Sequence, residues 1–542
     1  MIKRQIALLL TLIMVFSLLQ TAALADGLSA DPLALPDKPS ETYKVKLDGK
    51  ELSVDCYTVT YVANPIAAKR GDGDFSTDYH KMHIYVSEKA TKNSPIILMV
   101  KNSGWLPSAV EHKIEDGKEY VSNSDTDVIG AALNAGYVIV SMGTRSRGLI
   151  DEDGNYVGHS PAVVVDTKAG IRYLRYNDKL GLLPAGDTDR IIITGTSGGG
   201  GLSAIVAASG NSPDYYPYLY EIGAAGIIKN SDGSYTSSIN DDVFATVAYC
   251  PITDFDGADM AYEWTYYETR VRLRSEDESE GAANSLIYGD SVLAASKELK
   301  DAYPAYLNKL GLKLEDGTPL TADNFEDAII ALLEKEIEEA YIERGGKDAL
   351  LEDIEKCTYN DYSWLEIDDK GNVTIDYDEF LYFVAKNTEL KTAPAFSNYG
   401  TPHQHFMNED NLFGAYPTQE YSPFEFWSWN NHSAEVKGVG KNNTGLSWDE
   451  YIKTDEGKTL LHQLKMLDPI AYLIDDSNGD SAPYWYVRHG MKDRDTSFAV
   501  EALLYYAMIN DSSIRDVNFE FTWLQGHGGN YDVQEAYKWI AG

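Results

Sequence analysis

Short apolar runs broken by polar turns set the rhythm of the first hundred residues. KVKL (44–47), LSVDCYTVTYV (52–62), KMHIYV (81–86) and IILMV (96–100) read as strands, an antiparallel start to a sheet. Ahead of them, the Pro- and Ser-rich residues 26–43 read as a loose lead. The period then changes. DVIGAALNA (127–135) and AVVVDTKAGIRYLRY (162–176) carry helical spacing, while YVIVSM (137–142), IIIT (191–194) and VFATVAYC (243–250) are buried strands. Strands alternating with helices predict a parallel sheet. From about 255 to 470 the chain turns mostly helical and acidic, with NFEDAIIALLEKEIEEAYIER (324–344) a strong amphipathic helix. Residues 396–432, dense in Phe, Tyr, Trp, Asn and His, read as a pocket wall. Sheet character returns with Tyr484–Arg488. A helix over 497–509, a last strand over 517–523 and a short closing helix complete the chain.

One stretch inside the acidic region imitates a calcium loop, EIDDKGNVTIDYDEF (366–380). Setting Gly371 at the sixth loop position puts Lys370 at the fifth and Tyr377 at the twelfth, where an oxygen donor and a glutamate belong. The segment is better read as a β-hairpin turning at Asp369-Lys370-Gly371-Asn372.

The chemistry begins at DRIIITGTSGGGGLSA (189–204), where Gly195-Thr196-Ser197-Gly198-Gly199 stands between a strand and a helix as a nucleophile elbow must. So sharp a turn strains the serine backbone, and a Cβ two residues before or after it would clash. The Gly198 N–H, at the positive end of the following helix, points toward a developing oxyanion. The same glycines also fit a dinucleotide fingerprint through Gly199, Gly201 and Ala204. The far end of the chain decides between the two. Asp493, in HGMKDRD, and His527, in QGHGG, each follow a late strand, giving the order Ser197, Asp493, His527 of an α/β-hydrolase triad. A dinucleotide fold predicts neither. In such a fold the loop after the third core strand gives the second oxyanion N–H; here that loop is Lys101–Trp105, and Gly104 or Ser103 supplies it. The expected architecture is an α/β-hydrolase fold with a large, mainly helical lid insertion. Residues 26–255 and 471–542 form the core, and 256–470 the substrate-binding lid. His527 acts as base only when neutral, so activity is expected to fall in acid near the ordinary imidazole pKa of about 6.5, or lower if its pairing with Asp493 is unfavourable.

The ends and the charge place the reaction. Lys3 and Arg4, the apolar run Ile6–Leu19 and Ala23-Leu24-Ala25 make a secretory signal peptide over residues 1–25, cleaved after Ala25. Formal net charge is −38, and removing Lys3 and Arg4 takes it two further. Such a surface repels nucleic acid and anionic membrane. Three cysteines, Cys56, Cys250 and Cys357, make no disulfide framework, and Cys250 reads as a buried structural thiol. No Cys/His spacing fits zinc, so neither metal nor cofactor is expected. The 38 tyrosines and 9 tryptophans suit aryl or sugar ligands.

Four long segments, GTSGGGGLSAIVAASGNSPDY, CPITDFDGADMAYEW, RHGMKDRDTSF and GHGGNYD, resemble the bacterial tannase family over most of the mature chain. The resemblance implies hydrolysis of aryl esters of phenolic acids, galloyl esters above all, with Ser197, Asp493 and His527 as the triad. It further implies that Asp495 contacts the galloyl hydroxyls, with a lysine and a glutamate of the lid that the motifs do not locate. The lid is larger than the family usually carries, which bears on galloyl specificity and not on ester hydrolysis. A feruloyl or general aryl/acetyl esterase is the alternative within catalysis. A non-catalytic extracellular polyphenol- or carbohydrate-binding protein is the alternative outside it.

Overall fold

A computed structural model describes residues 31–541 except 281–288, 401–408, 415–416, 436–437 and 476–477. The signal-peptide segment and part of the aromatic segment thus lie outside the described residues. Ten strands form one sheet. They are β1 (Glu41–Leu47), β2 (Lys50–Thr60), β3 (Lys81–Ser87), β4 (Ile96–Met99), β5 (Glu119–Tyr120), β6 (Val138–Met142), β7 (Ile191–Thr196), β8 (Ala245–Tyr249), β9 (Tyr484–Gly490) and β10 (Asp516–Thr522). Their spatial order is β10-β9-β8-β7-β4-β6-β3-β2-β1-β5. Of the four strands predicted as an antiparallel start, β1, β2 and β3 are antiparallel, and β3 also pairs antiparallel with β6. The fourth, β4 (from IILMV), is parallel to both its neighbours because a helical crossover joins it to β6. From β6 through β4, β7, β8 and β9 to β10 every pairing is parallel. Parallel strands need crossovers, supplied by α1 (Val128–Ala135), α2 (Ala162–Lys179), α3 (Gly198–Ala208) and, between β9 and β10, a helix over Phe498–Asn510. This is the expected α/β-hydrolase sheet.

β7 and β8 are continuous apolar runs because helices cover both faces of a parallel sheet; Ile191, Ile192, Ile193 and Ala248 have no exposed surface. Between β8 and β9 the chain leaves the sheet for a mainly helical insertion, including α4 (Phe255–Glu280), α5 (Asp290–Leu310), α6 (Phe325–Arg344) and α7 (Tyr377–Asn387). The helix over Phe498–Asn510 is then α8, and the closing helix Val533–Ala541 is α9. The expected hairpin is present, with Leu365–Ile367 paired antiparallel to Val373–Ile375.

Two sequence expectations are corrected. From residue 31 onward the lead is anchored, not loose. Leu33 and Leu35 are buried in the core, Leu35 N–H donates to Asn177 Oδ1 (2.6 Å) and the Tyr176 hydroxyl donates to Asp31 (2.5 Å). Two leucines among prolines carry no periodic signal, yet they cap an apolar patch beside α2. Among its described residues the aromatic segment is chiefly core. Phe396, Phe413 and Phe424, fully buried, each present an edge-to-face contact to Phe255 at 5.7–6.2 Å between centroids, a geometry that favours ring packing over ligand contact.

Candidate active site

Ser197 stands between β7 and α3, as the N-cap of the helix, with φ 62° and ψ −126°, a conformation a non-glycine residue holds only when its surroundings impose it. The glycines let those surroundings close in. A Cβ on Gly195 would lie 2.3 Å from Gly199 O, and one on Gly198 would lie 2.3 Å from both Asn102 O and Trp105 N. After the serine the clash is therefore tighter at Gly198 than at Gly199, where the nearest atom, Val100 O, is 3.3 Å away. The dinucleotide spacing has another cause. A Cβ on Gly201 would sit 2.1 Å from Ile252 O, so this glycine serves backbone packing and leaves no room for a pyrophosphate.

The turn carrying Gly104 (φ 60°) lies directly against Gly198. Asn102 Nδ2 ties it to Leu106 O (2.8 Å) and Thr144 Oγ1 (2.9 Å), and the Trp105 indole donates to Ile252 O (3.1 Å). Trp105, Cys250, Asp254, Leu524 and Asn530 share positive φ with Ser197. All six follow core strands, so backbone strain gathers at one edge of the sheet.

The other two predicted residues arrive at that edge on loops after β9 and β10. A Cβ on Gly490 would meet Gln525 O at 2.4 Å, and one on Gly529 would meet Thr196 Oγ1 at 2.2 Å. The His527 loop thus packs on the Asp493 loop and on the elbow. His527 Nδ1 donates to Asp493 Oδ2 (2.7 Å), and Asp493 Oδ1 accepts the Asp495 N–H (2.8 Å). Asp493 has no exposed surface. Burial works to raise its pKa, but the neighbouring imidazoles of His489 and His527 and the Asp495 N–H bring it down to about 2. For His527 burial acts downward, and its bond to Asp493 outweighs it, holding the imidazole above its ordinary value. That corrects the expected acid limb upward. His527 Nε2 lies 3.4 Å from Asp495 Oδ2, and among the described residues Ser197 Oγ makes no hydrogen bond.

The insertion adds residues that no motif disclosed. Lys391 Nζ donates to Asp495 O (3.2 Å) and sits 3.8 Å over the Phe396 ring. Its own backbone is held by the Tyr262 hydroxyl (3.0 Å) and by Arg270 (2.6 Å), both from α4. Glu409 lies near Lys391, whose charge it favours together with Asp495 against the cost of burial. Burial raises the Glu409 pKa, while Arg147 and Lys391 oppose the rise. Arg147 reaches Glu409 Oε1 (3.6 Å) and donates to Asn411 Oδ1 (3.3 Å). A lysine and a glutamate in irregular chain carry no spacing for the sequence to show.

Two groups of possible metal donors test poorly. Asp493, Asp495 and His527 have ligand atoms within 4.8 Å of one another, but the nitrogen nearest Asp493 already holds its proton in the 2.7 Å bond. Cys56, His83 and His112 also converge, yet the two imidazoles stack at 4.1 Å and 21°. Their in-plane lone pairs therefore cannot meet at one ion.

The BD-FAE family model matches residues 82–308. Among solved structures the chain is similar to a tannase from Fusobacterium nucleatum, with 30% identity over 92% of this chain and 97% of that one, TM-score 0.69. It is similar to the native tannin acyl hydrolase from Lactobacillus plantarum, with 26% identity, 92% and 96% coverage and TM-score 0.69. It is also similar to a tannin acyl hydrolase in complex with ethyl gallate, with 26% identity, the same coverage and TM-score 0.70. No curated protein matches the chain.

Proposed function

Because the chain belongs to the tannase/feruloyl esterase-like family of α/β-hydrolases, we propose that it is a secreted serine esterase cleaving aryl esters of phenolic acids such as galloyl esters. Family membership carries the coarser statement, a carboxylic-ester hydrolase. The observation that supports the finer one is the meeting of Asp493, His527 and Asp495, with Lys391 and Glu409 alongside and the His527 loop packed against Thr196 of the elbow.

In this reading Ser197 Oγ attacks the ester carbonyl while His527 Nε2 takes its proton. Asp493 fixes the Nδ1–H tautomer and stabilises the imidazolium. The N–H groups of Gly198 and Gly104 receive the oxyanion. Collapse expels the alcohol, protonated from Nε2, and leaves Ser197 acylated; water then repeats the sequence in reverse. Because His527 must turn toward Ser197 Oγ for this, the contact of Nε2 with Asp495 is exchanged for substrate. A phenolic ring entering there offers hydroxyls to Asp495 and Glu409 and accepts from Lys391. Each such charge-assisted bond contributes about 1.5–3 kcal/mol, and a ring lacking hydroxyls leaves these groups desolvated and unpaired.

Comparing kcat/KM on galloyl, feruloyl, p-coumaroyl and acetyl esters tests this, in the wild type and in Asp495→Asn. The expected outcome is a preference for galloyl esters that falls ~10-fold or more in the variant while acetate hydrolysis is kept. A feruloyl or acetyl preference untouched by Asp495→Asn contradicts the galloyl assignment and leaves the broader esterase. No turnover of any ester returns the chain to a binding role.

A further inference from the structure

Beside the triad acid lie two fully buried titratable residues that the mechanism above does not use. His489 is the penultimate residue of β9, and Glu501 lies in the first turns of α8; neither has exposed surface. His489 Nδ1 stands 3.6 Å from Asp493 Oδ2 and 3.6 Å from Glu501 Oε1. That Oδ2 is the same oxygen that receives the His527 N–H. Among the described residues neither His489 nitrogen and neither Glu501 oxygen has a hydrogen-bond partner. Phe498 and Phe521 close the imidazole in at 5.5 and 5.8 Å, ring to ring and edge to face. Two polar side chains placed in an apolar enclosure, an imidazole facing the Asp493 carboxylate and a carboxyl facing that imidazole, are costly unless they serve that carboxylate.

Charge decides the arrangement. The titratable groups around the imidazole are Asp493, Asp495, Cys250, His527 and Glu501, with the Tyr266 hydroxyl of α4 near Asp493. Asp493 is the ionised member. A lone pair on His489 Nδ1 would face that negative oxygen, so this nitrogen must carry its proton. A second carboxylate charge at Glu501 would face Asp493 across the same imidazole. Burial first, and then the Asp493 charge, raise the Glu501 pKa well above the usual range, while burial pushes His489 down to about 4.

We propose that His489 is a positioning residue of the triad, its Nδ1–H directed at Asp493 Oδ2 and kept there by the uncharged carboxylic acid of Glu501. His489 Nδ1 thus stands between the triad acid and a second carboxyl, 3.6 Å from each. This rests on the triad reading of the preceding subsection. The His489 N–H withdraws negative charge from the oxygen that stabilises protonated His527. It therefore holds the His527 pKa lower than Asp493 alone would set it, and it fixes the carboxylate rotamer.

The test measures kcat and the acid limb of kcat/KM for wild type, His489→Leu, His489→Asn, Glu501→Gln and Ser197→Ala. Leucine removes the donor, whereas the asparagine amide restores an N–H at the Nδ1 position. For His489→Leu, kcat is expected to fall ~10–100-fold, and the acid limb to move up by about half a pH unit. His489→Asn returns the limb toward the wild-type position. Glu501→Gln, neutral like the acid it replaces, shifts it by less than His489→Leu does. An unmoved limb in His489→Leu, with Ser197→Ala inactive, overturns the proposal and leaves the triad intact. Activity in Ser197→Ala overturns the triad itself. Should the leucine variant fail to fold, ¹⁵N spectra of the histidine-labelled wild type decide. A neutral His489 protonated at Nδ1 agrees with the proposal; an imidazolium, or a proton on Nε2, contradicts it.

Discussion

The sheet edge and the insertion solve the problem of placing charge in opposite ways. At the edge, strained backbone and close glycine contacts hold Ser197, Asp493 and His527, and the buried charge of Asp493 is matched by N–H donors. In the insertion, cations and carboxylates are buried together. Lys391 and Glu409 compensate one another together with Arg147 from the loop after β6, and Arg270 is clamped to Glu263 (2.8 Å). The first arrangement is fixed by main chain and suits chemistry, which tolerates little displacement. The second is a set of side-chain charges that a polar ring can re-pair, which suits selection among substrates.

The comparison breaks most visibly at the edge. Asp493→Asn is expected to lower kcat by ~10⁴-fold on every ester, because the His527 tautomer is lost; kinetics on an acetyl and a galloyl ester check it. If the loss were confined to galloyl esters, Asp493 would belong with the insertion residues instead.

Residues of the insertion are expected to act selectively. Lys391→Met and Glu409→Gln lower kcat/KM for galloyl esters by ~10–100-fold, the worth of one or two charge-assisted bonds, and change p-nitrophenyl acetate by less than about 3-fold. Equal losses on both substrates would give these residues a part in the chemistry.

A smaller effect comes from pH. Asp493 holds His527 above its ordinary value, and the protonated base is inactive. Activity is therefore full above the raised pKa and is lost as pH falls through it, with a midpoint above about 6.5. The residual activity of Asp493→Asn should show its limb at lower pH, since the cause of the rise is gone. A pH profile of kcat/KM for both proteins measures the difference.

The smallest effect on chemistry belongs to the aromatic core of the insertion. Phe424→Ala is expected to cost about 3–5 kcal/mol of stability, read by denaturant unfolding, while the ratio of galloyl to acetyl kcat/KM stays the same. A changed ratio would restore the segment as pocket wall.

What the sequence disclosed follows the same division. The elbow, its strand and its helix are contiguous, so glycine spacing and apolar runs expose them together, and Asp493 and His527 each stand just past an apolar strand. Lys391 and Glu409 sit in irregular chain, 18 residues apart by their numbering, and only folding brings them to Asp495. The rings of 396–432 misled because an aromatic that packs against Phe255 and one that lines a pocket look alike in sequence. His489 was visible in RHGMKDRD, but its burial against Glu501 comes from the pairing of β9 with β10 and the packing of α8.

The most direct test of the acyl-serine account is mass spectrometry of the protein after reaction with a fluorophosphonate and, separately, after rapid quenching with a galloyl ester. One adduct on the peptide carrying Ser197, absent from Ser197→Ala and strongly slowed in His527→Ala, is the predicted result. Labelling at another residue, or ester turnover with Ser197 unmodified and replaceable, would contradict it.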